Sequence, residues 1–245
     1  ARFIKSPDRY SKHWTKMIRL FFDSELRGKC PEFCVGLVGA EVKNSPSNQV
    51  LWKDMEEACA QVSQDLTIPK INQHPAIAAT RAAYKACGKD PNRYRPSAEA
   101  LRRRLVQGKG LHRVNTLVDV VNLLSLETGA SIGGFDASRI TGELTWGIGR
   151  EGELYEAIGR GNLNIGNLPV LRDEEGPIGT PSSDHERTKI AMHTTRILLN
   201  INSFSGPAGL NDAVDRAIQL LKSHAGLTDA ETSILAPNGQ RPAGF

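Results

Sequence analysis

No apolar run in the chain approaches the roughly 20 residues that a helix needs to cross a bilayer, which excludes a membrane-spanning helix. The first residues carry charges throughout, so no secretory leader pattern is visible either. Cysteine is sparse: Cys30, Cys34, Cys59 and Cys87 stand apart with no CxxC pair among them. A disulfide framework is not expected at this size, and a zinc site needs paired spacing that is missing. The expectation is reduced thiols packed as small hydrophobes in a cytoplasmic protein. No two histidines stand four apart, so there is no helical metal-binding pair, and neither a metal nor a cofactor is expected. Charge of one sign is not in great excess: 31 Lys and Arg oppose 27 Asp and Glu, for a net charge of +4. That balance permits nucleic-acid binding without demanding it.

What is present is ordinary globular composition, 39% hydrophobic and 24% charged over 245 residues. There is no internal repeat and no low-complexity linker. One interleaved α/β unit of mixed sheets and helices is therefore expected over residues 16–236, between a loose leader (1–15) and a flexible tail (237–245).

The chain is organised around residues 113–136. The first part reads as a helix that is apolar almost all round, which belongs inside a core. Its polar residues Asn115, Asp119 and Asn122 fall at i, i+4 and i+7 and so share one face. A polar stripe on a buried helix needs partners, either a loop or a ligand. Thr116 and Asp119 have capping-box spacing, and Gly129 is placed to end the helix. Gly133 and Gly134 then allow another backbone or a ligand to come close.

In chain order, residues 17–22 read as a strand, 23–27 as a helical turn closed by Gly28, and 33–42 as a strand buried on both faces. Helices are expected at 49–64 and at 76–87, the latter ended by Gly88, with a loop between them bracketed by Pro69 and Pro75. Residues 97–105 form a further helix with Ser97 as N-cap, an inward stripe of Ala98, Leu101 and Leu105, and Arg103 pointing away. Arg93, Arg95, Arg102, Arg103 and Lys109 concentrate positive charge there, either as a solvated face or, with Tyr94, as a phosphate-binding surface. Recurrent glycines between 142 and 166 indicate short strands joined by turns. A strand at 168–171, an exposed turn at 172–176, a buried strand at 194–201 and a helix at 210–224 follow.

The densest polar segment is residues 179–188. It brings together Ser182, Ser183, Asp184, His185, Glu186 and Arg187, but holds no Gly-x-Ser-x-Gly. The plain reading is a loop in which Asp184 accepts backbone N–H bonds and pairs with Arg187.

Leu117-Val118-Asp119-Val120-Val121-Asn122, then Leu126-Glu127-Thr128-Gly129 and Phe135-Asp136, resembles the core motif of the B3/B4 domain found in the beta subunit of bacterial phenylalanyl-tRNA synthetase. Arg95-Pro96-Ser97, Glu99-Ala100-Leu101 and Thr195-Arg196-Ile197-Leu198-Leu199 also fit. Free-standing B3/B4 proteins resemble the chain further in His74-Pro75-Ala76-Ile77 and Ser183-Asp184-x-x-Arg187-Thr188. The likeness spans residues 17–225 and implies an extension at 16–90 before a core at 91–225. In the synthetase the domain edits tyrosine esterified to the phenylalanine tRNA. Its pocket uses a His, which falls here on Gly133, and a Glu, which falls on Asn200. Its glycine-rich loop falls near residues 179–182. The resemblance implies a pocket built by Gly133, Gly134, Ser182, Ser183, Arg187 and Asn200 around Asn115 and Asn122. Asp184 would serve as base, with Asn115, Asn122 and Asn200 orienting substrate and water, and tRNA or aminoacyl-tRNA would be the partner. The alternative is a non-catalytic pocket for an amino acid or a small polar ligand that never touches RNA.

Overall fold

The computed structural model describes residues 19–64 and 66–237. The expected leader and most of the expected tail lie outside these residues.

The central element is an antiparallel four-stranded sheet. Its outer strands are β3 (Ile132–Asp136) and β11 (Asp229–Leu235), and between them lie β2 (Cys34–Glu41) and β10 (Arg196–Ser203) in the order β11-β2-β10-β3. The uninterrupted apolar run of β2 follows from cover on both faces. Val38 and Ala40 meet helices, whereas Val35 and Leu37 meet a second sheet. The helical layer consists of α2 (Gln49–Ser63), α6 (Thr116–Thr128) and α7 (Leu210–His224). Leu51 and Met55 of α2, Leu117, Val120 and Leu124 of α6, and Leu220 and Leu221 of α7 bury there with Leu199 and Ile201 of β10.

The second sheet has the order β1-β4-β7-β8-β9. Its strands are β1 (Leu20–Phe22), β4 (Leu144–Ile148), β7 (Pro169–Asp173), β8 (Gly176–Thr180) and β9 (Ser183–Asp184). Only β1, which runs parallel to β4, departs from antiparallel pairing. Phe33, Leu37, Phe135 and Leu198 pack against Leu144, Trp146, Leu171 and Ile178 between the sheets. Two short strands, β5 (Glu156–Ala157) and β6 (Gly161–Asn162), form a separate hairpin.

The helices α1 (Ser24–Lys29), α3 (Ile68–Gln73), α4 (Pro75–Cys87) and α5 (Ser97–Val106) complete the chain. Four of these local results differ from expectation. Gly28 lies inside α1, which ends at Cys30. The span between Pro69 and Pro75 is helical because both prolines occupy first-turn positions, where the missing N–H has no partner to lose. Pro96, not Ser97, is the N-cap of α5, and the Ser97 backbone N–H instead donates to Pro181 O at 2.8 Å. Strand β11 escapes the periodicity because its first five residues, Asp229-Ala230-Glu231-Thr232-Ser233, are charged, small or hydroxyl-bearing, a composition that suits an edge strand.

Helix α6 sits where the sequence places it, but its polar residues act as structural ties. Asn115 is the N-cap and accepts from Val118 N at 3.0 Å. Thr116 is already helical, and its hydroxyl donates outward to Pro46 O at 3.1 Å. Asp119 accepts from Trp52 Nε1 at 2.8 Å and from Val114 N at 3.2 Å. Gly129 closes the helix at φ 72°, with the His74 ring lying against it: a Cβ there would come within 2.1 Å of His74 Cε1. Gly129→Ala is expected to cost about 2–4 kcal/mol from left-handed strain plus overpacking, read as a lowered denaturant midpoint with unchanged slope.

Two members of the basic segment turn inward. Arg102 is buried and donates to Leu126 O at 2.8 Å, tying α5 to the end of α6. Arg103 does not point away from the core; its Nε donates to Glu99 Oε1 at 2.7 Å. Glu99 is fully buried, and Arg81 Nη1 reaches its other oxygen at 2.9 Å. Arg93, Arg95 and Lys109 remain exposed.

Candidate functional site

β3 pairs with β10 on one side only, so its other edge presents unpaired backbone groups. The β8–β9 hairpin and the 3-10 turn Glu186–Thr188 close that edge. Gly134 N donates to Asp184 Oδ2 at 3.0 Å, and Phe135 bridges to Lys189.

The turn that presents Asp184 is held from several sides. Thr180 Oγ1 accepts from the backbone N–H groups of Ser182 and Ser183, each at 3.1 Å. Ser182 is buried, with its hydroxyl 2.8 Å from Tyr84 OH on α4. Tyr155 OH donates to Ser183 O at 2.6 Å, and Ile158 N donates to Asp184 O at 3.0 Å. The Asp184 side chain is thus positioned by neighbours from across the chain rather than by its own flexible loop.

Around that carboxyl the backbone carries no side chains. A Cβ at Gly133 would lie 2.6 Å from Phe135 Cζ and 3.3 Å from Asp184 Oδ1. At Gly179 the corresponding distances are 2.7 and 3.2 Å. Both glycines therefore make room for the aromatic ring and the carboxyl together. Gly134 serves the other face, where a Cβ would meet Val121 Cγ2 at 2.9 Å.

Asp184 retains some accessible surface, but its carboxyl sits deep among protein atoms, and this depth governs its protonation. Burial pushes the group up to about 7, and the bond from Gly134 N–H offsets only part of that. Oδ1 has no hydrogen-bond partner among the described residues and is not one of the sealed unpartnered atoms, so it keeps some contact with solvent. Among the described residues no cation compensates it. Arg187, expected beside it, grips Asp173 with two bonds of 3.0 and 2.7 Å, and Lys189 is held by Glu186. Asp173 is buried rather than part of an exposed turn, and Arg187 holds its carboxyl below the usual range against the opposing effect of burial. His185 accepts from Arg187 N through Nδ1 at 2.9 Å, and burial lowers its pKa.

The remaining expected site residues distribute as follows. Gly133, Gly134, Ser182, Ser183 and Asp184 come together. Asn200 is the direct cross-strand partner of Gly133, but it is buried. Its Oδ1 accepts from Trp146 Nε1 at 3.2 Å, and its Nδ2 donates to Asn202 Oδ1 at 2.6 Å. It is a tie between the sheets. Asn115 is spent on the helix cap, and Arg187 is spent on Asp173. Asn122 is half-buried, and its side chain makes no hydrogen bond among the described residues. The sequence reading missed Tyr84 and Tyr155, which approach Ser182 and Ser183 from distant elements with no local signal. Gly129-Ala130-Ser131-Ile132-Gly133 does match Gly-x-Ser-x-Gly, but it joins a helix to a strand, the reverse of a nucleophile elbow, and Ser131 is buried. Among the described residues no three His, Cys, Asp or Glu gather into a metal site, and no helix is long and apolar enough to cross a membrane.

A carboxyl poised near neutrality, with one oxygen unpartnered and in contact with solvent, can take a proton from water or bind a cationic amine.

Comparison with known proteins places this geometry in context. The phenylalanine–tRNA ligase beta subunit of Bartonella henselae is 36% identical over 92 residues, covering 37% of this chain and 11% of that subunit. That of Brucella abortus is 36% identical over 84 residues, covering 34% of this chain and 10% of its own length. The match thus spans about a tenth of these relatives. An N-terminal fragment of the phenylalanyl-tRNA synthetase beta subunit from Pyrococcus horikoshii aligns over 94% of this chain and 54% of the fragment, with TM-score 0.45 and 11% identity. The family model described as the B3/4 domain matches residues 79–226, and with more than half of its length so matched the chain belongs to the B3/4 domain family.

Proposed function

We propose that the chain hydrolyses the ester of a mischarged aminoacyl-tRNA, with Asp184 as general base. The observation that carries this reading is the lone carboxyl near neutrality with Oδ1 open and no cation beside it. A free amino acid brings a carboxylate that would find no counter-charge there, because Arg187 is committed to Asp173. An aminoacyl ester has no such carboxylate. Ionised Asp184 accepts a proton from the attacking water as the water oxygen bonds to the ester carbon; the bond from that carbon to the ribose oxygen then breaks, and the departing oxygen takes the proton from Asp184 to become the ribose hydroxyl. Asn200 and Asn115 take no part in this scheme, since their amides are already used. Gly133 and Gly179 let the Phe135 ring and the Asp184 carboxyl lie together, and Gly134 gives its N–H to that carboxyl.

The second reading is a binding pocket without catalysis, for a small amine-bearing ligand. It is favoured by the fact that Asp184, unlike the nearby Arg187 and Lys189, has no ion-pair partner among the described residues. Deacylation of a panel of mischarged tRNAs, beginning with tyrosine on the phenylalanine tRNA, separates the two. Hydrolysis that rises with pH toward a plateau above about 7 supports the proposal. No hydrolysis, together with a thermal shift by a non-hydrolysable aminoacyl amide, supports the pocket alone.

For RNA capture the exposed residues are Arg93, Arg95 and Lys109. Replacing all three with Ala is expected to flatten the salt dependence of tRNA binding by about 2–3 in log–log slope. An unchanged slope would place the RNA elsewhere.

A further inference from the structure

The four cysteines are all free, but two of them touch. Cys30 caps α1 and Cys87 ends α4, and their sulfurs lie 4.0 Å apart although the residues are 57 positions apart in sequence. The other two are separate: Cys34 is buried between strands, and Cys59 is half-buried on α2.

We propose that Cys30 and Cys87 form a dithiol oxidation site that closes reversibly to a disulfide when the protein meets a peroxide. The pair needs only about 2 Å of approach to reach bonding distance. Both thiols sit at helix ends followed by non-helical residues, where backbone adjustment is least costly: Cys30 lies just past α1, and Gly88 follows Cys87 at φ 92°. The two sulfurs are chemically unequal. The thiol hydrogen bond shared with Cys87 and the nearby Lys29 ammonium favour the Cys30 thiolate, whereas that bond and burial hold Cys87 protonated. Cys30 is also the more exposed of the two, at 7% against 2%. Cys30 thiolate therefore attacks the peroxide. Its sulfur gains one oxygen as a sulfenic acid, the O–O bond breaks, and the other oxygen leaves as hydroxide and becomes water. Cys87 then displaces the sulfenic hydroxyl. The S–S bond forms, the S–O bond breaks, and a second water leaves with the Cys87 proton. Two thiols and one hydrogen peroxide give one disulfide and two waters. The cross-link would pin the end of α4, whose Tyr84, one turn earlier, holds Ser182.

The test uses the reduced full chain, treated with stepwise hydrogen peroxide, alkylated and weighed intact. The expected result is a loss of about 2 Da, two fewer alkylated thiols, a digest peptide pair joining Cys30 to Cys87, and full reversal by dithiothreitol. Cys59→Ser should leave all of this unchanged, and Cys30→Ser should abolish it. Oxidation that begins at Cys59 and adds oxygen without any Cys30–Cys87 peptide overturns the proposal. So does a cross-link that forms only after denaturation.

Discussion

Asp184→Asn is expected to lower ester hydrolysis by about 10²–10⁴-fold while making the protein more stable above pH 7. The amide oxygen can still accept from Gly134 N–H, so the edge of β3 stays closed. The stability gain follows from linkage. The group is raised from 3.8 to about 7 in the folded state. Between those values the unfolded chain has released its proton and the folded chain has not, so stability falls as pH rises through this window. Above about 7 the full penalty is present, on the order of 4 kcal/mol, and the Asn variant escapes it. At pH 4 the two proteins should be nearly equal. His74 has the opposite slope, because burial lowers its pKa to about 4 and acid protonates the unfolded chain first. The two slopes offset in the wild type between about pH 4 and 6.5, so only the difference between variant and wild type isolates Asp184. Denaturant midpoints at pH 4.5 and 8, with deacylation rates from pH 6 to 8.5, check both halves. Undiminished hydrolysis by the variant would remove Asp184 from the chemistry.

Glu99→Ala is expected to destabilise the protein by about 3–5 kcal/mol, because it strands two partly buried guanidinium groups. Arg81 and Arg103 are 13% and 19% exposed and meet a carboxylate that has no exposure at all. Arg95 lies at the margin, at 3.9 Å, and contributes less. For a protein of this length the melting midpoint should fall by about 10 °C or more. Glu25→Ala removes an ion pair of similar geometry, Lys29–Glu25 at 3.0 Å, but both partners there are exposed, and the expected change is below about 0.5 kcal/mol. If the two variants melt alike, burial is not what gives the Glu99 cluster its weight. The effect should also reach the recess, since the first residue of α5 donates to Pro181 O in the turn before Asp184.

The cysteine pair and the arginine cluster show the same limit of sequence reading from two sides. Cys30 and Cys87 have no spacing that marks them as neighbours, yet they are in contact. Arg102 and Arg103 look like a surface charge run, yet one caps a buried helix end and the other serves a buried carboxylate. In both cases the partner arrives from a distant element, and local periodicity carries no information about it.

What the sequence by itself determined is the class of each strong element and the family. The continuous apolar run of β2 and the almost wholly apolar α6 are legible because burial on all sides leaves no room for polar residues. The glycines at 133 and 134 are legible as places of close approach, whereas the same need at Gly179 shows only in the packing against Phe135. The motif that runs through α6 to Asp136 is long enough to name the B3/4 family. Tertiary structure alone decided which polar residues are spent and which is left. Asn115 caps a helix, Asn200 ties two sheets, Arg187 clamps Asp173, and Asp184 remains with a free oxygen. Each of these side chains has hydrogen-bonding capacity that some neighbour will claim, and only the packing of strands and helices far apart in sequence sets which neighbour is within reach.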